Sequence, residues 1–210
     1  MNKFWEHIFY ILSYLFQGAS YLSPNAYAIM HREHHAFADT KKDPHSPKYD
    51  KNLFNMMWKT KNIYNDIYYK RVQVDPKFTK NLPNWPIIDK IGDSWISRIS
   101  WGLLYLAFYL VFATSWWMFL LLPIHFLMGP VHGAIINWFA HKIGYRNYVV
   151  NDTSANLFPI EILMLGEGLH NNHHKNSSSP NFAKKWFEFD PLYPIILFLN
   201  LINVIQLKPK

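Results

Sequence analysis

The chain has 210 residues, half of them hydrophobic and 18% aromatic, with a formal net charge of +7 and no cysteine. That length supports one domain with a core of its own, and the lack of cysteine excludes both a disulfide framework and a thiolate-bound metal. The basic excess suits anionic lipid headgroups or an acidic protein partner, and no nucleic-acid partner is expected.

The elements follow in chain order. The opening stretch MNKFWEHIFYILSYLFQGASYL is apolar, but Lys3, Glu6, Tyr10, Ser13 and Gln17 recur every three or four residues and draw one polar stripe along it. Residues 1–23 are therefore expected as a helix lying in the membrane interface, with a third membrane crossing as the alternative. Residues 24–98 read as part of a cytoplasmic cap. They carry MHREHHAFADTKKDPHSP (Met30 to Pro47) and then a polar stretch in which Pro76, Pro83 and Pro86 are expected to close off short helices. From Ile99 through His141 there is no Asp, Glu, Lys or Arg. A crossing needs only about 20 apolar residues to span ~30 Å of hydrocarbon, so residues 99–141 are long enough for two transmembrane helices. FATSWWMF (Phe112 to Phe119) supplies a turn flanked by interfacial tryptophans. The alternative is a pair of buried helices in a soluble protein. Thirteen of the 21 Lys and Arg lie between Arg32 and Arg98, and seven more from Lys142 onward. Both feet of the hairpin are therefore expected on the cytoplasmic side. Residues 142–210 complete the cap, and the apolar run Leu192 to Leu207 is too short to span and should pack against the membrane or the domain. The fold expected is an all-α integral membrane protein: a single domain, 1–210, in which a transmembrane helical hairpin carries a cytoplasmic, helical, His-rich cap.

The histidines carry the chemistry. His31, His34 and His35 stand at i, i+3 and i+4, and so do His170, His173 and His174, so each trio shares one face of a helix. A lone histidine is more often a hydrogen-bonded core or surface residue than a ligand, and His7 and His125 are read that way. Two copies of the trio, with His141 just past an apolar helix, point to metal. Imidazole suits Zn, Cu, Fe and Ni alike, but seven nitrogens are too many for one four-coordinate zinc, so two metal ions sharing the set is the natural arithmetic.

These motifs resemble those of the membrane fatty acid desaturases, in particular the acyl-CoA, Δ9-type branch. HREHHAFADTKKDPHS is similar to that family's second histidine box with its trailing Asp-Pro-His, NWFAHKIGYRNY to its Asn-x-x-x-His segment followed by Gly-Tyr-Arg, and GEGLHNNHH to its third box; the likeness runs from about residue 1 to KWFEFDP (Lys185 to Pro191). The resemblance implies two iron ions with ligands at His31, His34, His35, His141, His170, His173 and His174, and with Asn137 holding a metal-bound water. Asn137 and His141, at i and i+4, should share a helical face. Asp39, Asp43, His45 and Glu167 are candidates to accept or support the ligands' other ring N–H groups, or they are simply caps and turn residues. His132 matches no role.

The resemblance further implies an O2-dependent reaction that inserts a cis double bond into a saturated acyl chain, fed by a ferredoxin or cytochrome b5-like donor and set among membrane lipids. A related di-iron lipid hydroxylase or ketolase, or a non-catalytic truncated paralogue, are the rival readings. Two departures bear on this. The family's first box, His-x-x-x-x-His, roughly 40 residues before the second, would fall upstream of Met1, so the chain is expected to lack that box and the first pair of spanning helices. In addition, the family's CoA-contacting Arg-Asp pair is replaced in the stretch AIM (Ala28 to Met30), which leaves the acyl carrier open among CoA, an acyl carrier protein and a lipid-linked chain.

Overall fold

The computed structural model describes residues 1–207, and among these there are nine α-helices and no strand, only three isolated bridges. Lys208 and Lys210, counted above with the basic foot of the hairpin, lie outside the described residues.

Helix α1 (Lys3–Gln17) is started by the Asn2 side chain, which accepts the Trp5 N–H, and stops at Gly18. Gly18 has φ +53, and a Cβ there would run into the Tyr105 hydroxyl, so the chain can turn beside a neighbouring helix only without a side chain. The polar stripe of α1 does not face outward along its length. Tyr10 is buried and donates to both carboxylate oxygens of Asp89 at 3.0 and 2.9 Å, and the Tyr14 and Ser97 hydroxyls lie 2.7 Å apart. Phe4, Leu15 and Phe16 are left exposed instead. The stripe therefore anchors α1 to α5 (Pro86–Asp93) and α6 (Trp95–Phe112), and the outward face is apolar.

Helix α2 (Pro24–Phe37) begins on a Ser23 cap with Pro24 in the first turn, where the missing N–H costs nothing. Ala26, Ile29 and Met30 sit on one side of it and pack into a core with Tyr64 and Ile67 of α3 (Leu53–Tyr68) and Phe78 of α4 (Pro76–Thr79). The histidine trio is thereby left on a different face. Pro76 and Pro86, expected to end helices, open α4 and α5, because a proline's fixed φ suits the first turn and only the interior excludes it. Pro83 lies in the connecting loop.

The uncharged stretch forms the expected pair of long helical segments with small structural differences. Helix α6 starts before it, at Trp95, and carries Arg98 in its first turn, whose guanidinium is turned back onto the Ala19 and Tyr21 carbonyls and Asp93. After the break at Ala113–Ser115 the return begins with a 3-10 turn (Trp116–Leu121), continues as α7 (Leu122–Ala134) and ends in a π turn over Ile135–Phe139. Trp95–Phe112 and Trp116–Phe139 are long and apolar enough to cross a membrane. Leu103, Leu110, Val111, Trp116 and Leu120 stand exposed, so these helices are not a buried core pair. They hold together by close approach at Gly102, against which the Phe126 ring sits, and by a 2.8 Å hydrogen bond between Tyr109 and His125. The last apolar run is helical only over α9 (Leu192–Leu201), which exposes Leu197, Phe198 and Leu201.

Candidate metal centre

Helix α2 delivers His31, His34 and His35. His141 follows the π turn, and the six-residue α8 (His170–Lys175) delivers the second trio. The ring nitrogens of these seven residues converge from three segments and sort into two groups. His34, His141, His170 and His174 form one, and His31, His35 and His173 the other. In the first, the Nε2 atoms of His34 and His174 are 3.1 Å apart and those of His141 and His170 3.0 Å. In the second, the Nε2 atoms of His35 and His173 are 2.8 Å apart, His35 and His31 3.0 Å, and His31 and His173 3.3 Å. Two nitrogens about 2.1 Å from a shared ion at tetrahedral or right angles would stand roughly 3.0–3.4 Å apart, so both groups have the spacing of ligands around a common metal.

Carboxylates stand behind the first group. His34 Nδ1 donates to Asp43 at 2.9 Å, His141 Nδ1 to Asp39 at 3.3 Å, and His174 Nδ1 to Asp152 at 2.9 Å. A ring whose Nδ1–H is held in this way presents the Nε2 lone pair, the form a metal requires. Asp39 also accepts from the Thr153 N–H and hydroxyl, both at 2.6 Å, and from Ser46 at 2.7 Å. Burial pushes its carboxyl up, but the hydrogen bonds from His141, Ser46 and Thr153 outweigh that and hold it well below the usual range. Burial disfavours the charged form of four of these imidazoles: it drives His34 and His170 well below their ordinary value, His31 to about 4 and His35 to about 3, with neighbouring histidines adding to the shift.

The other predicted residues fall in different places. Asn137 is buried on the π turn. The single α-helical face expected to join it to His141 is replaced by that turn, which closes at Ala140 with N–H bonds to Ile135 and Ile136, and His141 follows outside the helix. Wider turns of this kind arise where a chain must shift a side chain's register. His45 is fully buried with its ring 4.2 Å from that of His34, and neither of its nitrogens has a partner among the described residues. Glu167 makes no hydrogen bond to a histidine among the described residues; burial and then the charge of Asp190 push it up to about 7. Sequence reasoning missed Asp152, which lies in an irregular segment where no periodicity marks it; its only signal was a carboxylate between two histidine motifs.

Comparison with known proteins agrees with this geometry. Residues 1–197 match the model of the fatty acid desaturase family. The chain belongs to the fatty acid desaturase family. This desaturase-family chain is 30% identical over 178 residues to the sn-1 stearoyl-lipid 9-desaturase of Anabaena variabilis, covering 83% of this chain and 61% of that one. It is 27% identical over 207 residues to Delta-9 acyl-lipid desaturase 2 of Arabidopsis thaliana, covering 93% and 61%. It is also 26% identical over 208 residues to the hex-5-enoyl-[acyl-carrier protein] acetylenase of Moorena producens, covering 86% and 59%. The chain thus spans about three fifths of the length of these relatives. No solved structure gives a significant match. The likeness to the Δ9 branch read from the histidine boxes is borne out.

Proposed function

We propose that this chain is the metal-binding body of a membrane fatty acyl desaturase that uses O2 to insert a cis double bond into a saturated acyl chain. The observation that supports this most is the sorting of seven imidazoles into two groups with ligand-like Nε2 spacing. When bound there, a pair of iron ions would supply O2 activation and the removal of hydrogen from an unactivated methylene. His34, His141, His170 and His174 would hold one ion, and His31, His35 and His173 the other, with Asn137 holding a metal-bound water.

The protein's own part is positioning and exclusion of water. Asp43, Asp39 and Asp152 hold the Nδ1 protons of three ligands, so those rings need no reorientation when an ion arrives. The His45 ring lies tilted against His34, 4.2 Å away, and limits its rotation, and burial removes competing water. The exposed apolar faces of α6, α7, α1 and α9 are read as lipid-facing, with the basic residues on both sides of the hairpin placing the histidines at the cytoplasmic surface. A lipid-linked acyl chain is the favoured substrate, because relatives are named for acyl lipids and the CoA-contacting pair is absent. A ferredoxin or cytochrome b5-like protein is the expected electron donor.

The test is iron per chain in detergent-purified protein, with His170→Ala beside it, followed by analysis of acyl chains after supplying a reductant and saturated lipid. Close to two irons, lost in the variant, and a new double bond are expected. Negligible iron in both proteins would overturn the metal reading, and an inserted oxygen in place of a double bond would move the chain among hydroxylases or ketolases.

A further inference from the structure

Helix α8 has six residues and no side-chain N-cap, far below the ~12–15 residues at which an isolated helix becomes even marginal in water. Something outside it must hold its shape and its rotation about its own axis. That rotation matters because α8 feeds both groups: His170 and His174 turn to one, and His173 to the other.

Asn171 ties α8 to the Asn147 and Tyr148 backbone, and a second set of holding contacts converges on a buried carboxylate. Glu188 Oε1 accepts from the Tyr145 hydroxyl at 2.8 Å, Asn147 Nδ2 at 2.6 Å and Asn156 Nδ2 at 3.4 Å. Its Oε2 accepts from Asn172 Nδ2 at 2.9 Å and from the backbone N–H groups of Lys184 and Lys185 at 2.7 and 2.9 Å. Burial pushes this carboxyl up, but the donors outweigh it and hold Glu188 below its usual range. Asn172 lies between the α8 histidines, and its side-chain oxygen accepts from Asn147 at 2.8 Å and Asn156 at 3.2 Å, so both of its amide atoms are committed to the same network. An apolar or neutral side chain at 188 would leave several buried donors without an acceptor of equal strength.

We propose that Glu188 is a positioning residue for both metal groups: acting through Asn172, its carboxylate sets the rotation of α8 and so divides the third histidine trio between them. The inference rests on the metal-binding reading above. Its test is a cobalt(II) titration of the full chain in detergent, followed by equilibrium dialysis and by visible ligand-field absorption, for wild type, Glu188→Gln and Tyr145→Phe, with far-ultraviolet circular dichroism as the fold check. Glu188→Gln is expected to keep its helical signal, to lose about tenfold or more in cobalt affinity, on the scale known for residues that support metal ligands, and to show an altered ligand-field band. Tyr145→Phe, which removes one donor to Glu188 and the hydroxyl's contact with Asn156, should show a smaller loss in the same direction. If both variants bind cobalt with wild-type affinity and spectrum, whatever their melting temperatures, Glu188 is structural only and the proposal fails. Should Glu188→Gln not fold, Tyr145→Phe decides alone. Wild-type protein that binds no cobalt removes the metal reading and this inference with it, an outcome distinct from equal binding by all three.

Discussion

The two histidine groups are built from the same residue type and both draw on α2 and α8, with His141 added to the first, yet they are prepared differently. In the four-histidine group three rings have their Nδ1 proton fixed by a carboxylate: His34 by Asp43, His141 by Asp39 and His174 by Asp152. In the three-histidine group none of the rings has such a partner among the described residues, the His173 Nδ1 is buried without one, and His31 and His35 are only half-buried. The carboxylates fix tautomer and orientation, so on the proposed metal reading the first group would lose less freedom on binding and present the more basic ligands. The difference teaches that imidazole count and preparation run together here: the group with more imidazoles is also the one in which three rings are held, and only its fourth, His170, has a buried Nδ1 without a partner among the described residues.

Removing a ligand from the stronger group should break the comparison most completely. His170→Ala is expected to abolish tight binding of the first metal equivalent, a loss exceeding the ~10–100-fold cost of removing a ligand's outer hydrogen-bond partner, as read by metal analysis after dialysis. Next in size is Asp43→Asn, which leaves the His34 Nδ1–H facing a weaker, neutral acceptor. Affinity at the four-histidine group should fall by roughly 10–100-fold while the three-histidine group is unchanged, and equal weakening of both in a two-site titration would show that the groups are not separately prepared. His31→Ala should leave the first equivalent as in wild type and remove the second, which sharpens the assignment of the weaker site. The smallest effect is expected from a graded chelator titration of the loaded protein: the three-histidine group should empty first, and simultaneous release of both ions would contradict the ranking.

Some of this was legible from residues alone. The trios at His31/His34/His35 and His170/His173/His174 follow from helical spacing, and the uncharged run from Ile99 to His141 was read as a helical pair. The break in the helical pair also falls within Phe112–Phe119, and Asp39 and Asp43 hydrogen-bond to His141 and His34. Other features resisted. Pro76 and Pro86 read as stops because a proline is compatible with either end of a helix, and only the neighbouring cap shows which. The polar stripe of α1 turned inward because Asp89, buried in α5, needs the hydroxyls of Tyr10 and Tyr21, which donate to it. Asp152 and Glu188 lie in irregular segments, where hydrophobic period carries no information about what a side chain meets.

Spacing along the chain determined which histidines share a helix face, because helical periodicity is a local property of the backbone. Which histidine falls in which group was decided only by the tertiary structure. Each trio is split, His34 going with His141, His170 and His174 and its two neighbours with His173, because that division depends on how α2 and α8 are rotated against each other. The rotation is held by contacts between residues far apart in the chain, Glu188 to Tyr145 and Asp39 to Thr153 among them.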